Sequence, residues 1–81
     1  MEYNKSILNK ELLTAAGDGR QMLVYGLVTA GADLETRGRN DNTALHLSAE
    51  KGHESVVRIL LQLGIDVNIR NKYNNQNDKS K

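Results

Sequence analysis

The apolar residues of this 81-residue chain recur three and four positions apart in four stretches, which glycines and polar turns separate. This spacing places the apolar side chains on one face of a helix. Four amphipathic helices are therefore predicted. The first begins between Asn4 and Asn9 and ends at Ala16, and the second runs from near Gln21 to Ala30. The third begins after Thr43 and ends before Gly52, and the fourth runs from near Glu54 to just before Gly64.

The predicted inward faces consist mainly of leucine, valine and alanine. Gly26 interrupts the second helix, where a glycine costs about 1 kcal/mol relative to alanine. We interpret it as sequence drift at a partly exposed position rather than as a kink. The predicted inward residues are Leu8, Leu12, Leu13 and Ala16, then Leu23, Val24, Leu27 and Val28, then Leu45, Ser48 and Ala49, and finally Val56, Val57, Leu60 and Leu61.

The first two helices repeat as the last two after 33 residues, so that Leu12 superimposes on Leu45. A fixed period of this length predicts stacked copies of one helix–turn–helix unit, because a single unit cannot bury its apolar face alone. The same shift relates four pairs of turn residues: Gly19 and Gly52, Gly31 and Gly64, Asp33 and Asp66, and Arg37 and Arg70.

Composition narrows the classes of function. The chain has no cysteine, which excludes disulfides and thiolate metal sites, and its 11 basic and 10 acidic residues give a formal net charge of +1. Because proteins that bind phosphate backbones usually have a clear basic excess, this balance argues against a nucleic-acid partner.

The chain contains no segment with the pattern of a signal peptide or a membrane span. Residues 1–5 lack the basic-then-apolar order of a leader, and the most apolar stretch, Val56–Leu63, is too short to cross a bilayer. We therefore expect a cytoplasmic protein with no membrane partner. The abundance of Asn and Lys hints at an AT-rich genome of an intracellular organism, which leaves delivery into a host cell open.

Past Tyr73 the sequence has no apolar residue. Such a segment cannot bury enough surface to offset its ordering entropy, so residues 74–81 are predicted to form a disordered polar tail. The remaining residues, 1–73, are predicted to be one repeat domain. Its parts are repeat one at about 5–37, repeat two at about 38–70, and the start of an incomplete third repeat at 71–73.

The residues of the second copy occur in a known order: Thr43-Ala44-Leu45-His46, Ser48-Ala49, Gly52-His53, Val56-Val57, Leu60-Leu61, Gly64 and Asp66-Val67-Asn68. This order resembles the ankyrin repeat family, and the first copy matches its later half. The resemblance implies an all-α, ankyrin-type solenoid of helix–turn–helix repeats joined by hairpin-like loops. Four residues depart from the family pattern: Ala44 replaces a proline, Asp41 and Asn74 stand where turn glycines are typical, and Gly38 occupies the usual aspartate place.

The resemblance also implies a recognition surface, made of the loop tips and the exposed face of the first helix of each repeat. The matching residues are mostly polar and of mixed charge, which predicts a salt-sensitive contact. They are Asp18, Arg37, Arg39, Asn40, Asn42, Glu50, Lys51, Arg70, Lys72 and Tyr73.

Candidate chemical groups favour structural roles. His46 and His53 have no cysteine or suitably spaced carboxylate to complete a metal site, and the resemblance implies that both imidazoles bond to turn backbone. Asp33 and Asp66 are equivalent residues of two repeats and are interpreted as turn-stabilising. Ser48 lies two residues from His46 and so does not share its helix face. We predict no enzyme activity, no cofactor and no metal.

The leading hypothesis is a non-enzymatic protein–protein interaction module whose partner the sequence does not identify. A first alternative is a structural unit that stacks end to end through its uncapped C-terminal repeat, since the fourth helix carries more apolar surface than one neighbour covers. A second alternative is weak nucleic-acid binding through the basic loop tips, residues 37–39 and 70–72.

Overall fold

Four α-helices and one short 3₁₀ turn make up residues 4–73, the part of the chain that the computed structural model describes. The helices are α1 (Lys5–Asp18), α2 (Gln21–Thr29), α3 (Ala44–Glu50) and α4 (Glu54–Leu63), and the 3₁₀ turn Arg39–Asp41 precedes α3. No strand occurs in this range. The predicted all-α class is confirmed, and the predicted helix ends agree with the observed ones to within about two residues.

Local side-chain chemistry explains where α1 and α3 begin. The Asn4 side chain accepts a hydrogen bond from the Ser6 N–H at 2.8 Å and thereby caps α1. The Thr43 side chain caps α3, and the side chain of His46 bonds back to the Thr43 backbone, which forms a reciprocal capping box. The predicted cap at Thr43 is confirmed.

The helices pack in two pairs that stack on each other. α1 packs on α2 to form the first pair, and α3 packs on α4 to form the second. Between the pairs, α1 contacts α3 and α2 contacts α4. The core lies between these layers and includes Leu12 and Leu45, which are equivalent residues of the two repeats and are both fully buried. Val24, Val56 and Leu60 are also fully buried. The core therefore belongs to the stack rather than to either repeat alone.

The stacking leaves each repeat with one uncovered side. Val24 of repeat one is fully buried, whereas its equivalent in repeat two, Val57, is only partly buried. The reverse holds three residues further along each helix, where Leu60 is fully buried and its equivalent, Leu27, is only partly buried. In each of these two pairs, the fully buried residue is the one that faces the other repeat.

Two of the predicted inward residues prove to be exposed. Leu23 is 38% exposed and Leu61 is 44% exposed. The prediction that both face inward is wrong because it counted only their helical spacing, and the outer sides of the two-repeat stack have no neighbour to cover them. The exposed Leu61 agrees with the expectation that α4 carries more apolar surface than one neighbour covers.

Replacement of Gly26 by alanine is expected to stabilise the protein. Gly26 lies inside α2, and a Cβ added there meets no atom within 4 Å beyond its chain neighbours and the backbone of α2 itself. The expected gain is the difference in helix propensity, about 1 kcal/mol, and urea denaturation followed by circular dichroism measures it. Gly17→Ala, in α1 and equally free of neighbours, is the matched control and should behave alike. A loss of stability in both variants would contradict the expectation.

Candidate functional site

The loop before α3 and the segment after α4 lie side by side and form one edge of the molecule. The Gly38 N–H donates to the Asn42 carbonyl at 2.8 Å, which closes the loop into a hairpin-like turn. The Lys72 N–H donates to the Asn40 carbonyl at 2.8 Å, and the side-chain amide of Asn71 donates to that of Asn42 at 2.7 Å. These bonds fix the loop tips of successive repeats against each other.

The tip of the hairpin-like turn has two residues in the left-handed region, since Asn40 and Asp41 both have a φ of 60°. Asn and Asp adopt this conformation more readily than other side chains because their short polar groups bond locally. Asp41, which stands where the family pattern has glycine, therefore occupies a backbone conformation that glycine would favour.

Arg37 joins the two loops through its guanidinium group. Its Nη1 donates to the Asp41 carbonyl at 2.9 Å and also to the Arg70 carbonyl. The sequence predicts Arg37 only as a contact residue of the loop tips. The side chain is exposed, but its two bonds to backbone oxygens hold the tips together, so part of its role is structural.

Arg37→Gln is expected to lower the free energy of unfolding by about 1 kcal/mol, because the two loops lose a charged donor that both carbonyls share. Arg39→Gln is the matched control. Arg39 is exposed on the same loop, and its side chain forms no hydrogen bond within residues 4–73, so its loss should change stability by less than about 0.5 kcal/mol. Denaturation in urea compares the two, and equal effects would refute a bridging role for Arg37.

The second group of predicted contact residues lies at the C-terminal ends of α1 and α3. Asp18 is the last residue of α1, and Glu50 and Lys51 close α3; all three are exposed. His53, in the turn after α3, bonds through Nε2 to the Gly17 carbonyl of α1 at 3.0 Å. This bond holds the C-terminal ends of α1 and α3 together on one surface.

Both histidines bond to backbone, as the resemblance implied. His46 Nδ1 accepts from the Thr43 N–H at 3.1 Å and lies 3.0 Å from the Thr43 hydroxyl, while His53 bonds to the Gly17 carbonyl. Among residues 4–73, no cluster of three or more His, Cys, Asp and Glu side chains could hold a metal ion. The expected bonds of both imidazoles to backbone are confirmed.

The aspartates of the two repeats stabilise equivalent turns. Asp33 accepts from the N–H of Glu35 at 3.0 Å, and Asp66 accepts from the N–H of Asn68 at 2.9 Å. Each carboxylate thus bonds to the backbone two residues further on, and the prediction of turn-stabilising aspartates is confirmed.

Two further side chains that connect separate segments were not predicted from the sequence. Asn9 Oδ1 accepts from the Asp33 N–H at 2.6 Å, and Glu35 Oε2 accepts from the Asp66 N–H at 3.1 Å. The only available signal was that Asn9 lies 33 residues before Asn42, another side chain that bonds a loop.

The ten predicted contact residues fall into two groups. Seven lie at the loop tips, and three lie at the C-terminal ends of the inner helices. Asn40 and Asn42 are half-buried, and the other eight are exposed, with Tyr73 at 62%. Lys72 Nζ lies 5.9 Å from the centre of the Tyr73 ring, within cation–π range. Their contact with a partner stays a prediction.

A groove separates α1 from the loop that follows α2. Its volume is about 520 Å³. None of the groove's α1 residues belongs to the predicted contact set, and of its loop residues only Arg37 does. The groove is lined by Lys5, Ser6, Asn9, Lys10, Leu13, Thr36, Arg37 and Gly38.

Comparison with known proteins points to one family. Residues 40–72 match the family model described as Ankyrin repeat. The chain is 36% identical over 67 residues to "Ankyrin repeat and KH domain-containing protein mask-1" of Caenorhabditis elegans, an alignment of 83% of this chain and 2% of that protein. Over 69 residues it is 39% identical to "Probable E3 ubiquitin-protein ligase XBOS33" of Oryza sativa subsp. japonica, which aligns 82% of this chain and 13% of that protein.

A shorter match reaches higher identity. Over 39 residues the chain is 46% identical to "NF-kappa-B inhibitor cactus" of Drosophila melanogaster, which aligns 48% of this chain and 8% of that protein. The chain thus spans a small fraction of the length of these relatives. Separately, none of the helices within residues 4–73 has the length and apolar character needed to cross a membrane.

Proposed function

Residues 40–72 are an ankyrin repeat, and from this premise we propose that the chain is a non-enzymatic module that binds another protein. Ankyrin repeats are in general protein–protein interaction modules. The proposed contact surface consists of the loop tips and the C-terminal ends of α1 and α3, with the ten residues predicted from the sequence.

One observation carries this proposal, namely that the loop tips are rigidly held while their polar side chains remain exposed. Arg37 bridges both loops, and the Lys72 N–H bonds to the Asn40 carbonyl. Arg39 and Tyr73 extend from this frame into solvent. A frame that is already ordered loses less conformational entropy on binding, which favours affinity.

Selection of peptides from a random phage-displayed library tests the proposal. Enriched peptides are expected to lose most of their affinity for the double variant Arg39→Glu/Lys51→Glu, which changes both groups of the surface. They should bind Arg58→Glu/Gln62→Glu unchanged, because these two exposed residues lie on α4, which contributes no residue to the surface. The salt dependence of binding reports the polar character of the contact.

Equal binding to both double variants would refute this location of the surface. Failure to enrich any peptide that discriminates folded from urea-unfolded protein would refute the binding function itself. Circular dichroism of each variant confirms that the helices are retained, since all four substituted side chains are exposed.

A second candidate function, end-to-end stacking, is supported by the uncovered sides of the two repeats. Leu61 and Val67 of repeat two are exposed, at 44% and 52%, and Leu23 of repeat one is exposed on the other side. Because one repeat covers Val24 and Leu60 of the other inside the chain, a second copy stacked head to tail would offer the same kind of contact. Sedimentation velocity across a wide concentration range tests this, and a strictly monomeric species would refute it.

The division of the chain and its location belong to the same proposal. We propose repeat one at about 5–37, repeat two at about 38–70, and the beginning of a third repeat at 71–73; the family match at 40–72 supports the second of these. A cytoplasmic location is likewise proposed. The predicted tail, 74–81, lies outside the described residues.

A further inference from the structure

The groove beside α1 carries charge of one sign. Its eight lining residues include three cations, Lys5, Lys10 and Arg37, and no Asp or Glu. The ion pair found in the described range lies on α4, where Arg58 and Glu54 approach to 4.0 Å; none of the groove cations is paired with a carboxylate of residues 4–73. Among residues 4–73, the groove is therefore a positive surface that no carboxylate lines.

Two acidic side chains of the loop that follows α2 accept hydrogen bonds from backbone donors. Asp33 accepts from the Glu35 N–H, and Glu35 in turn accepts from the Asp66 N–H at 3.1 Å. Arg37 bonds to the carbonyl oxygen of Asp41 rather than to its carboxylate. The carboxylates of Asp33 and Glu35 are thus engaged with the loop backbone.

The groove also offers neutral donors and one preoriented guanidinium. Ser6 and Thr36, two residues with hydroxyl side chains, line it together with the cations. Arg37 uses Nη1 for its two carbonyl bonds, which fixes the plane of the guanidinium; Nε and Nη2 retain the fork geometry that binds a carboxylate in a bidentate manner. The volume of about 520 Å³ lies within the range of ligand-binding clefts.

We propose that this groove binds an acidic segment of the protein partner, with side-chain carboxylates at Lys5, Lys10 and Arg37. The inference rests on the proposed protein-binding function and names the chemistry of the partner. Charge complementarity selects an acidic segment, and a chain with a net charge of +1 and three groove cations would make too few phosphate contacts to favour nucleic acid.

Fluorescence anisotropy with a labelled octaglutamate peptide, in low-salt buffer at neutral pH, tests this assignment. The wild-type chain should bind this peptide and not octaglutamine. Lys5→Gln/Lys10→Gln should weaken binding about five- to tenfold, since each exposed ion pair contributes up to about 1 kcal/mol. The control, Arg20→Gln/Arg58→Gln, removes the same charge from exposed positions outside the groove and should stay within about twofold of wild type.

Several outcomes would overturn the proposal. These are equal weakening by the two double variants, equal binding of octaglutamine, or tighter binding of an oligothymidine of eight nucleotides than of octaglutamate. If octaglutamate fails to bind while library-selected peptides still require Arg39 and Lys51, the groove assignment fails and the protein-binding function stands. If the selected peptides fail as well, both fail.

Discussion

Leu60→Ala is expected to remove most of the stability of this protein. Leu60 is fully buried in α4, where it belongs to the core between the two repeats. Truncation of a buried leucine costs about 2–5 kcal/mol, because transfer energy is lost and a cavity is left. Small domains have a total free energy of unfolding of about 5–15 kcal/mol, so a chain near the lower size limit loses a large fraction of it. Urea denaturation followed by circular dichroism measures the loss.

Leu61→Ala provides the matched control at the next position of the same helix. Leu61 is 44% exposed, so the same truncation removes less buried surface and leaves no closed cavity. Its effect should be well below that of Leu60→Ala. Equal losses from the two variants would mean that the sides of α4 are assigned the wrong way round, or that a stacked second copy buries Leu61; dilution separates these two explanations.

Gly19→Ala is expected to be the most damaging of the glycine substitutions. Gly19 has a φ of 79°, a conformation that costs a residue with a Cβ about 1–2 kcal/mol. An added Cβ would also lie 2.8 Å from His53 Nδ1, and overpacking of this kind costs about 1–3 kcal/mol more. The imidazole has little freedom to move away because its Nε2 bonds to the Gly17 carbonyl. Thermal and urea unfolding measure the combined loss.

Gly52→Ala separates the two costs, since Gly52 is the equivalent residue one repeat later. Its φ is 77°, but a Cβ there meets no atom within 4 Å. Gly52→Ala should therefore lower the free energy of unfolding only by the cost of the positive φ. In a His53→Ala background the extra cost of Gly19→Ala over Gly52→Ala should disappear, because the imidazole that the Cβ meets is gone. A persistent difference between the two would show that the His53 contact is not its cause.

The sequence by itself determined the local structure of this chain. The four helices, the cap at Thr43 and the turn-stabilising role of Asp33 all follow from the chemistry of nearby residues, since helical spacing and short-range hydrogen bonds act over three to five positions. The 33-residue period added the stacking of two equivalent units, because equivalent sequences form equivalent apolar faces.

Only the tertiary structure decided which of these faces is covered and which polar side chains are engaged. Leu60 and Leu61 are adjacent, identical and on the same predicted stripe, yet one is fully buried and the other exposed, because burial depends on where the neighbouring repeat lies. The Arg37 side chain donates to the Arg70 carbonyl, 33 residues further along the chain. The groove beside α1 is lined by Lys5 and Arg37, which belong to separate elements. Such contacts join residues that are distant in sequence, so no local pattern in the chain predicts them.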